Sequence, residues 1–144
     1  MAEKDNIEFA QEQIAALNAR DLDSYLSRID ESYTGESEMG GSVRGREGVR
    51  QYLETILRAF PDLKLEIEEI VANGNTVVTQ FQMTATHKGA YAGIAATNKS
   101  IVLQACNIAE LRNGKSIRGR LYADNAKLLQ QLGVLSLPRA TAAG

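Results

Sequence analysis

His87 is the single histidine of the chain, and it follows an apolar alternation in which Phe81, Met83 and Ala85 share one face of a predicted strand. An imidazole at the end of such a strand is suited to general acid–base chemistry or to orienting an anionic intermediate. The position also suits a histidine whose ring is hydrogen-bonded to a backbone carbonyl and has no catalytic task. The residues leave both interpretations open.

Asp124 is the second candidate, because it stands where a predicted strand passes into a predicted helix. A carboxylate held in a pocket there would remove a proton next to a carbonyl group. Strand alternation places Asp124 with Arg118 and Arg120, away from the more apolar face that carries Leu121, and a bulge would reverse that direction. Aspartate is also a favoured helix N-cap, which explains the residue without catalysis.

Six further side chains are predicted to contact a substrate: Tyr33, Phe81, Met83, Asn107, Arg120 and Tyr122. Asn107 lies among small and apolar residues, where its amide would hydrogen-bond a substrate oxygen or satisfy neighbouring backbone. Tyr33 would line the mouth of a pocket, as would Tyr91, although tyrosines are common at such edges without any task.

Composition excludes most other chemistry. The 144 residues include one cysteine and one histidine, so disulfides, zinc knuckles and sites with several histidine ligands are ruled out, and neither a metal nor a cofactor is expected. No phosphate-binding glycine loop or serine-nucleophile elbow is present.

A net charge of −2 gives no field for binding nucleic acid, and no apolar run is long enough to span a membrane. The charged N-terminus is unlike a secretory signal, so a cytoplasmic protein is expected. Cys106, within an apolar stretch, is expected to be a buried, inert thiol.

The elements that must position these residues follow from the hydrophobic period. A period of 3.6 predicts helices over residues 5–18, 22–29 and 46–59, with a glycine-rich loop between the last two. After Pro61 the period changes to 2, and tight turns at Asn73-Gly74 and Asn113-Gly114 separate strands that begin at residues 63, 76, 99 and 115. A short helix over 124–132 is closed by Gly133. The prediction is one α+β domain over residues 1–137, with helices packed on one face of a curved antiparallel sheet, and a flexible tail over 138–144.

A bent sheet covered by helices leaves a cone-shaped cavity for a small molecule. The order and spacing of several segments resemble the SnoaL-like polyketide cyclase family over about residues 7 to 134. The segments are Val43-Arg44-Gly45-Arg46-Glu47-Gly48-Val49, Ala59-Phe60-Pro61-Asp62-Leu63, Thr86-His87-Lys88-Gly89, Gly93-Ile94-Ala95-Ala96-Thr97-Asn98-Lys99, Asn113-Gly114-Lys115-Ser116-Ile117, Tyr122-Ala123-Asp124 and Leu128-Leu129-Gln130-Gln131-Leu132-Gly133.

The resemblance implies an NTF2-like cone, a homodimer packed through its sheets, and cofactor-free intramolecular aldol closure of a polyketide-like ester. Asp124 matches the family's acid/base aspartate at the end of the last strand, and His87 matches the histidine of its Thr-His-x-Gly turn. The chain departs from characterised cyclases at Ala109 and Glu110, where they carry a further histidine. The expected partner is therefore a hydrophobic, oxygenated small molecule.

Two other functions stay open, since a fold does not fix an activity. The leading function is a cofactor-independent cyclase, isomerase or related lyase, and the first alternative is a non-catalytic ligand-binding or dimerisation module. Epoxide hydrolysis is a further alternative, but it needs a water held by an Asp-Arg-Asp set that the sequence does not clearly supply.

Overall fold

The structure is a computed structural model that describes residues 3–37, 41–136 and 138. Within these residues the chain forms four helices, α1 Glu3–Asn18, α2 Leu22–Ser27, α3 Gly45–Ala59 and α4 Asn125–Gln131. It also forms six strands, β1 Ile29–Ser37, β2 Gly41–Arg44, β3 Lys64–Asn73, β4 Thr76–Thr86, β5 Ser100–Arg112 and β6 Lys115–Ala123. The predicted tail falls outside the described residues except for Pro138.

All six strands belong to one curved, unclosed sheet in the order β2-β1-β6-β5-β4-β3. The meander from β3 to β6 is antiparallel, as predicted, whereas β1 runs parallel to β6. Register shifts interrupt three of the pairings, and such bulges increase the bend of a sheet. The α+β architecture with helices on one face of a curved sheet is confirmed.

The segment between the first and third helices differs from the prediction. Ile29, placed in a helical stripe by its spacing, instead begins β1, and α2 ends at Ser27. The expected glycine-rich loop contains β1 and β2, which pair with each other, and β1 also pairs with β6. The main-chain N–H of Ser116 donates to the carbonyl of Arg28, which starts this distant pairing. The partner strand lies some 80 positions later, so local periodicity contains no sign of it.

The helices cover one face of the sheet, here called the inner face; the opposite face is the outer face. Helix α1 packs on β3 and β4, α3 on β1 and β2, and α4 on β5. The predicted alternation along β6 is confirmed, because Gly119 and Leu121 reach the inner side while Tyr122 is exposed. No helix in the described part of the chain is long and apolar enough to cross a membrane.

Candidate functional site

A cavity of about 180 Å³ lies between the inner face of the sheet and the first three helices. Its wall is mainly aliphatic and aromatic, with Phe9, Ile14 and Leu17 from α1 and Leu53 and Ile56 from α3. The sheet contributes Leu65, Phe81, Met83, Asn107, Ala109 and Leu121, together with other residues. Four of the six predicted contacts therefore line one cavity, namely Tyr33, Phe81, Met83 and Asn107.

Two polar side chains project from the floor of the cavity. Thr79 on β4 and Asn107 on β5 are directly paired across the strands, and Leu121 lies opposite Asn107 on β6. Within the described residues, neither the Thr79 hydroxyl nor the Asn107 amide has a hydrogen-bond partner, although Thr79 is buried. Polar groups inside a protein are normally paired, so these two are suited to bonding with a ligand or water in the cavity.

Three tyrosines gather around an apolar cluster at the α2–α3 side of the cavity. The cavity is lined there by Tyr25 of α2, Tyr33 of β1 and Tyr52 of α3. All three also pack against the apolar cluster around Leu26. Burial raises the pKa of Tyr33 to about 12, and it also raises the pKa of Tyr25 and of Tyr52. Near neutral pH these phenols are therefore protonated, and they are hydrogen-bond donors rather than bases.

The Tyr33 ring lies against two strands that present no side chain beneath it. Gly35 and Gly119 are paired on adjacent strands, and both are buried. A Cβ at Gly35 would lie 2.8 Å from Cε1 and from the phenol oxygen of Tyr33, and a Cβ at Gly119 would overlap that oxygen. Because neither glycine has a side chain, the pair leaves a slot in which the Tyr33 ring lies directly against the backbone of the two strands.

Gln13 also lines the cavity, but its amide is used by the fold. Its Nε2 donates to the carbonyl of Tyr25 at 3.1 Å, and its Oε1 accepts from the guanidinium of Arg28 at 3.2 Å. Gln13 therefore holds α2 against α1 rather than offering a free group to a ligand.

No imidazole or basic side chain lines the cavity in the described part of the chain, and Glu36 is the single acidic residue along it. Glu36 is exposed and alternates with inward-facing Gly35, so its carboxylate belongs to the outer face. Ala109 lines the wall as well, and it adds no polar group. The inward polar groups are therefore neutral amide and hydroxyl groups.

Asp124 lies outside this cavity, contrary to the expectation that it would stand in an apolar pocket. Its side chain is exposed, and its Oδ1 accepts a hydrogen bond of 3.0 Å from the main-chain N–H of Lys127. This is the N-cap of α4, so strand alternation and capping describe its position. Asp124 borders a shallow outer-face groove with Gln104, Cys106 and Tyr122. Its predicted catalytic role has no support from this placement.

His87 is fully buried beyond the end of β4, and it does not line the cavity. Its Nδ1 lies 3.2 Å from the backbone nitrogen of Thr97 and 3.0 Å from that residue's hydroxyl oxygen. A backbone N–H can only donate, so Nδ1 is an acceptor and the ring proton is assigned to Nε2. The ring also packs against Phe60, with centroids 5.4 Å apart and the ring planes tilted by 33°. His87 therefore holds the loop of residues 87–99 in place. The structure does not bring His87 together with Asp124.

The remaining predicted contacts lie on the outer face. Arg120 approaches Glu110 at 4.0 Å, and Tyr122 is 46% exposed. Cys106 is half-buried on the same face, so the expectation of a buried thiol is wrong. Tyr91 packs on Phe60 away from the cavity. No group of three or more potential metal ligands occurs among the residues described.

Sequence reasoning missed Thr79, Tyr25 and Tyr52 as cavity residues. Thr79 shares strand parity with Phe81, which was the available signal. The two tyrosines fit helical stripes, and nothing local distinguishes a core tyrosine from one that faces a cavity.

A family model for SnoaL-like polyketide cyclases matches residues 8–132. The chain belongs to this family. No curated protein matches the chain. Among solved structures, AclR from Streptomyces galilaeus, a candidate hydroxylase, has 26% identity and a TM-score of 0.83, covering 94% of this chain and all of that one.

Two structures of candidate polyketide cyclases show the same fold. IdmH from Streptomyces antibioticus is 24% identical, with a TM-score of 0.77 over 88% of this chain and 97% of its own. A SnoaL-like protein from Jannaschia sp. CCS1 is 18% identical, with a TM-score of 0.85 over 93% of this chain and 95% of its own. The fold of the present SnoaL-like protein is thus the NTF2-like cone of these relatives.

Proposed function

We propose that the cavity binds a mainly apolar, oxygenated small molecule of the polyketide type and promotes its intramolecular aldol closure without a cofactor. The observation that carries this proposal is the cavity itself, whose aliphatic and aromatic wall is interrupted by inward amide and hydroxyl groups. Such a site buries an apolar ligand and orients it through a few polar contacts. Membership of the SnoaL-like family supports the cyclase class.

Aldol closure suits a cavity with neutral donors. A methylene between two carbonyls is partly enolised, and its carbon attacks a third carbonyl elsewhere in the same molecule. One proton leaves the enol oxygen, and one joins the oxygen of the attacked carbonyl, so the composition is unchanged. Holding the chain folded lowers the entropic barrier, and a donor such as the Asn107 amide stabilises the developing oxyanion.

A second candidate function is ligand binding without catalysis. It is favoured by the neutral inward polar groups, since general acid–base catalysis normally uses a titratable side chain near the reacting atoms. The two functions differ in one observable: an enzyme releases a cyclised product with turnover, whereas a binding module retains its ligand unchanged.

The test uses an anthraquinone-type keto ester whose side chain is not yet cyclised, and it follows ring closure by liquid chromatography. We expect the wild type to accelerate ring closure, Asn107→Leu to lose at least about 10²-fold in rate as for a lost oxyanion donor, and Asp124→Asn to retain it. No acceleration by the wild type, with the ester bound and unchanged, would establish the binding module. A loss of about 10²-fold in Asp124→Asn would restore Asp124 as the acid/base.

We also propose that a second copy of this chain covers the outer face of the sheet, as the family resemblance predicts. Val102 and Tyr122 are 47% and 46% exposed there, and Ile108, directly opposite Arg120 of β6, is half-buried. Sedimentation should give a dimer that Tyr122→Lys weakens. Val134→Lys, at an equally exposed valine after α4, should leave the dimer intact. A monomeric wild type would refute the proposal.

A further inference from the structure

We propose that the phenol hydroxyls of Tyr25 and Tyr33 together bind one carbonyl oxygen of an aryl ketone in the cavity. This subsite rests on the proposed ligand-binding function, and it adds the chemical group that is recognised at the α2–α3 side. The donors come from different elements, α2 and β1, that meet only in the folded chain.

Both rings line the same cavity and pack on the same apolar cluster around Leu26. Neither phenol hydroxyl has a hydrogen-bond partner among the described residues. Both residues are half-buried and line the cavity, so each O–H is free to bond to a molecule there. Tyr52 differs, because its hydroxyl is already hydrogen-bonded to Ser37.

Each ring is held before a ligand arrives. Tyr33 lies in the slot above Gly35 and Gly119, where its phenol oxygen is in close contact with the backbone of β6. The Tyr25 ring packs in the apolar cluster around Leu26, and its main-chain carbonyl accepts from Gln13, which fixes the backbone that carries the ring. Donors fixed in advance lose little conformational entropy on binding, so they favour ligands that place an acceptor oxygen at that point.

The chemistry of the two groups defines what they recognise. Burial keeps both phenols protonated near neutral pH, and the neighbouring phenols raise the pKa of Tyr25 further. A pair of O–H donors fits an acceptor without a proton, such as a ketone oxygen or the enolate oxygen derived from it. The aliphatic wall around them fits the fused rings of an aryl ketone.

The test uses two probes, 1-tetralone and tetralin, which differ only in that a carbonyl of the first replaces a methylene of the second; each is titrated calorimetrically into the full chain. We expect the wild type to bind 1-tetralone more tightly, and Tyr25→Phe and Tyr33→Phe each to weaken it by about 3- to 10-fold, the effect of one lost hydrogen bond. Tetralin should bind equally to all variants, which also reports that the cavity is intact. Tyr91→Phe is the matched control, because Tyr91 is a half-buried tyrosine outside the cavity.

An infrared measurement separates hydrogen bonding from a change of shape. The carbonyl stretch of bound 1-tetralone should lie at lower frequency in the wild type and rise in each of the two phenylalanine variants. An unchanged stretch, or an equal loss of affinity in Tyr91→Phe, would overturn the subsite. If both probes bind all variants equally, the subsite alone is wrong; if neither binds the wild type, cavity binding and the subsite are both wrong.

Discussion

The contact between Tyr33 and Gly119 allows a quantitative prediction of how Gly119→Ala changes the folding free energy. The added methyl group would overlap the Tyr33 phenol oxygen and lie 3.2 Å from Cζ of the ring. Overpacking of this kind costs about 1–3 kcal/mol of folding free energy. The backbone of Gly119 is not in the left-handed region, so alanine by itself would stabilise the chain by about 0.4–1 kcal/mol through the unfolded state.

A double-mutant cycle isolates the contact. In the Tyr33→Ala background the overlap is gone, and Gly119→Ala should become neutral or stabilising, so the two positions should be coupled by about 1–3 kcal/mol. Urea denaturation of the four proteins, compared at constant slope, gives the coupling energy. The same free-energy change for Gly119→Ala in both backgrounds would refute the placement of the Tyr33 ring.

Three further predictions concern residues outside the cavity. Asp124→Ala should lower the free energy of unfolding by about 1 kcal/mol through loss of the α4 N-cap, while 1-tetralone affinity stays unchanged; a large affinity loss would contradict this. Hydrogen bonds from the N–H and hydroxyl of Thr86 lower the pKa of Asp62 below its ordinary 3.8, so their stabilisation is complete above that pH and lost as pH falls through the folded-state pKa. Asp62→Asn should therefore flatten the acid side of the stability–pH curve, and an unchanged curve would be contrary evidence. Long-range ¹H–¹⁵N spectra should show the His87 ring proton on Nε2, and a proton on Nδ1 would conflict with the Thr97 contact.

The sequence predicts the antiparallel meander because its strands are neighbours along the chain and alternate strongly. It does not predict β1, since Ile29 completes a helical stripe locally and becomes a strand residue only through pairing with distant β6. Such long-range pairing overrides local propensity. The ends of α3 just before Pro61 and of α4 just before Gly133 were predictable, because proline restriction and glycine capping act over a few residues.

The residues of the site also fall into two groups: those whose direction local alternation predicts, and those that only long-range packing brings together. Alternation along β4 and β5 predicts that Phe81 and Asn107 face the cavity, and alternation along β6 predicts that Asp124 faces outward. The resemblance argued the opposite for Asp124, and here the local rule describes the observed position. Tyr25 and Tyr33 come together only through the packing of α2 on β1, which no periodicity contains.

The central claim is that the ligand lies in the cavity rather than in the outer groove beside Asp124. A crystal structure of the chain soaked with 1-tetralone tests it most directly. The prediction is ring density within the aliphatic wall, with the carbonyl oxygen about 2.7–3.0 Å from the phenol oxygens of Tyr25 and Tyr33. Density in the groove between Asp124 and Gln104, with the cavity unchanged, would contradict it.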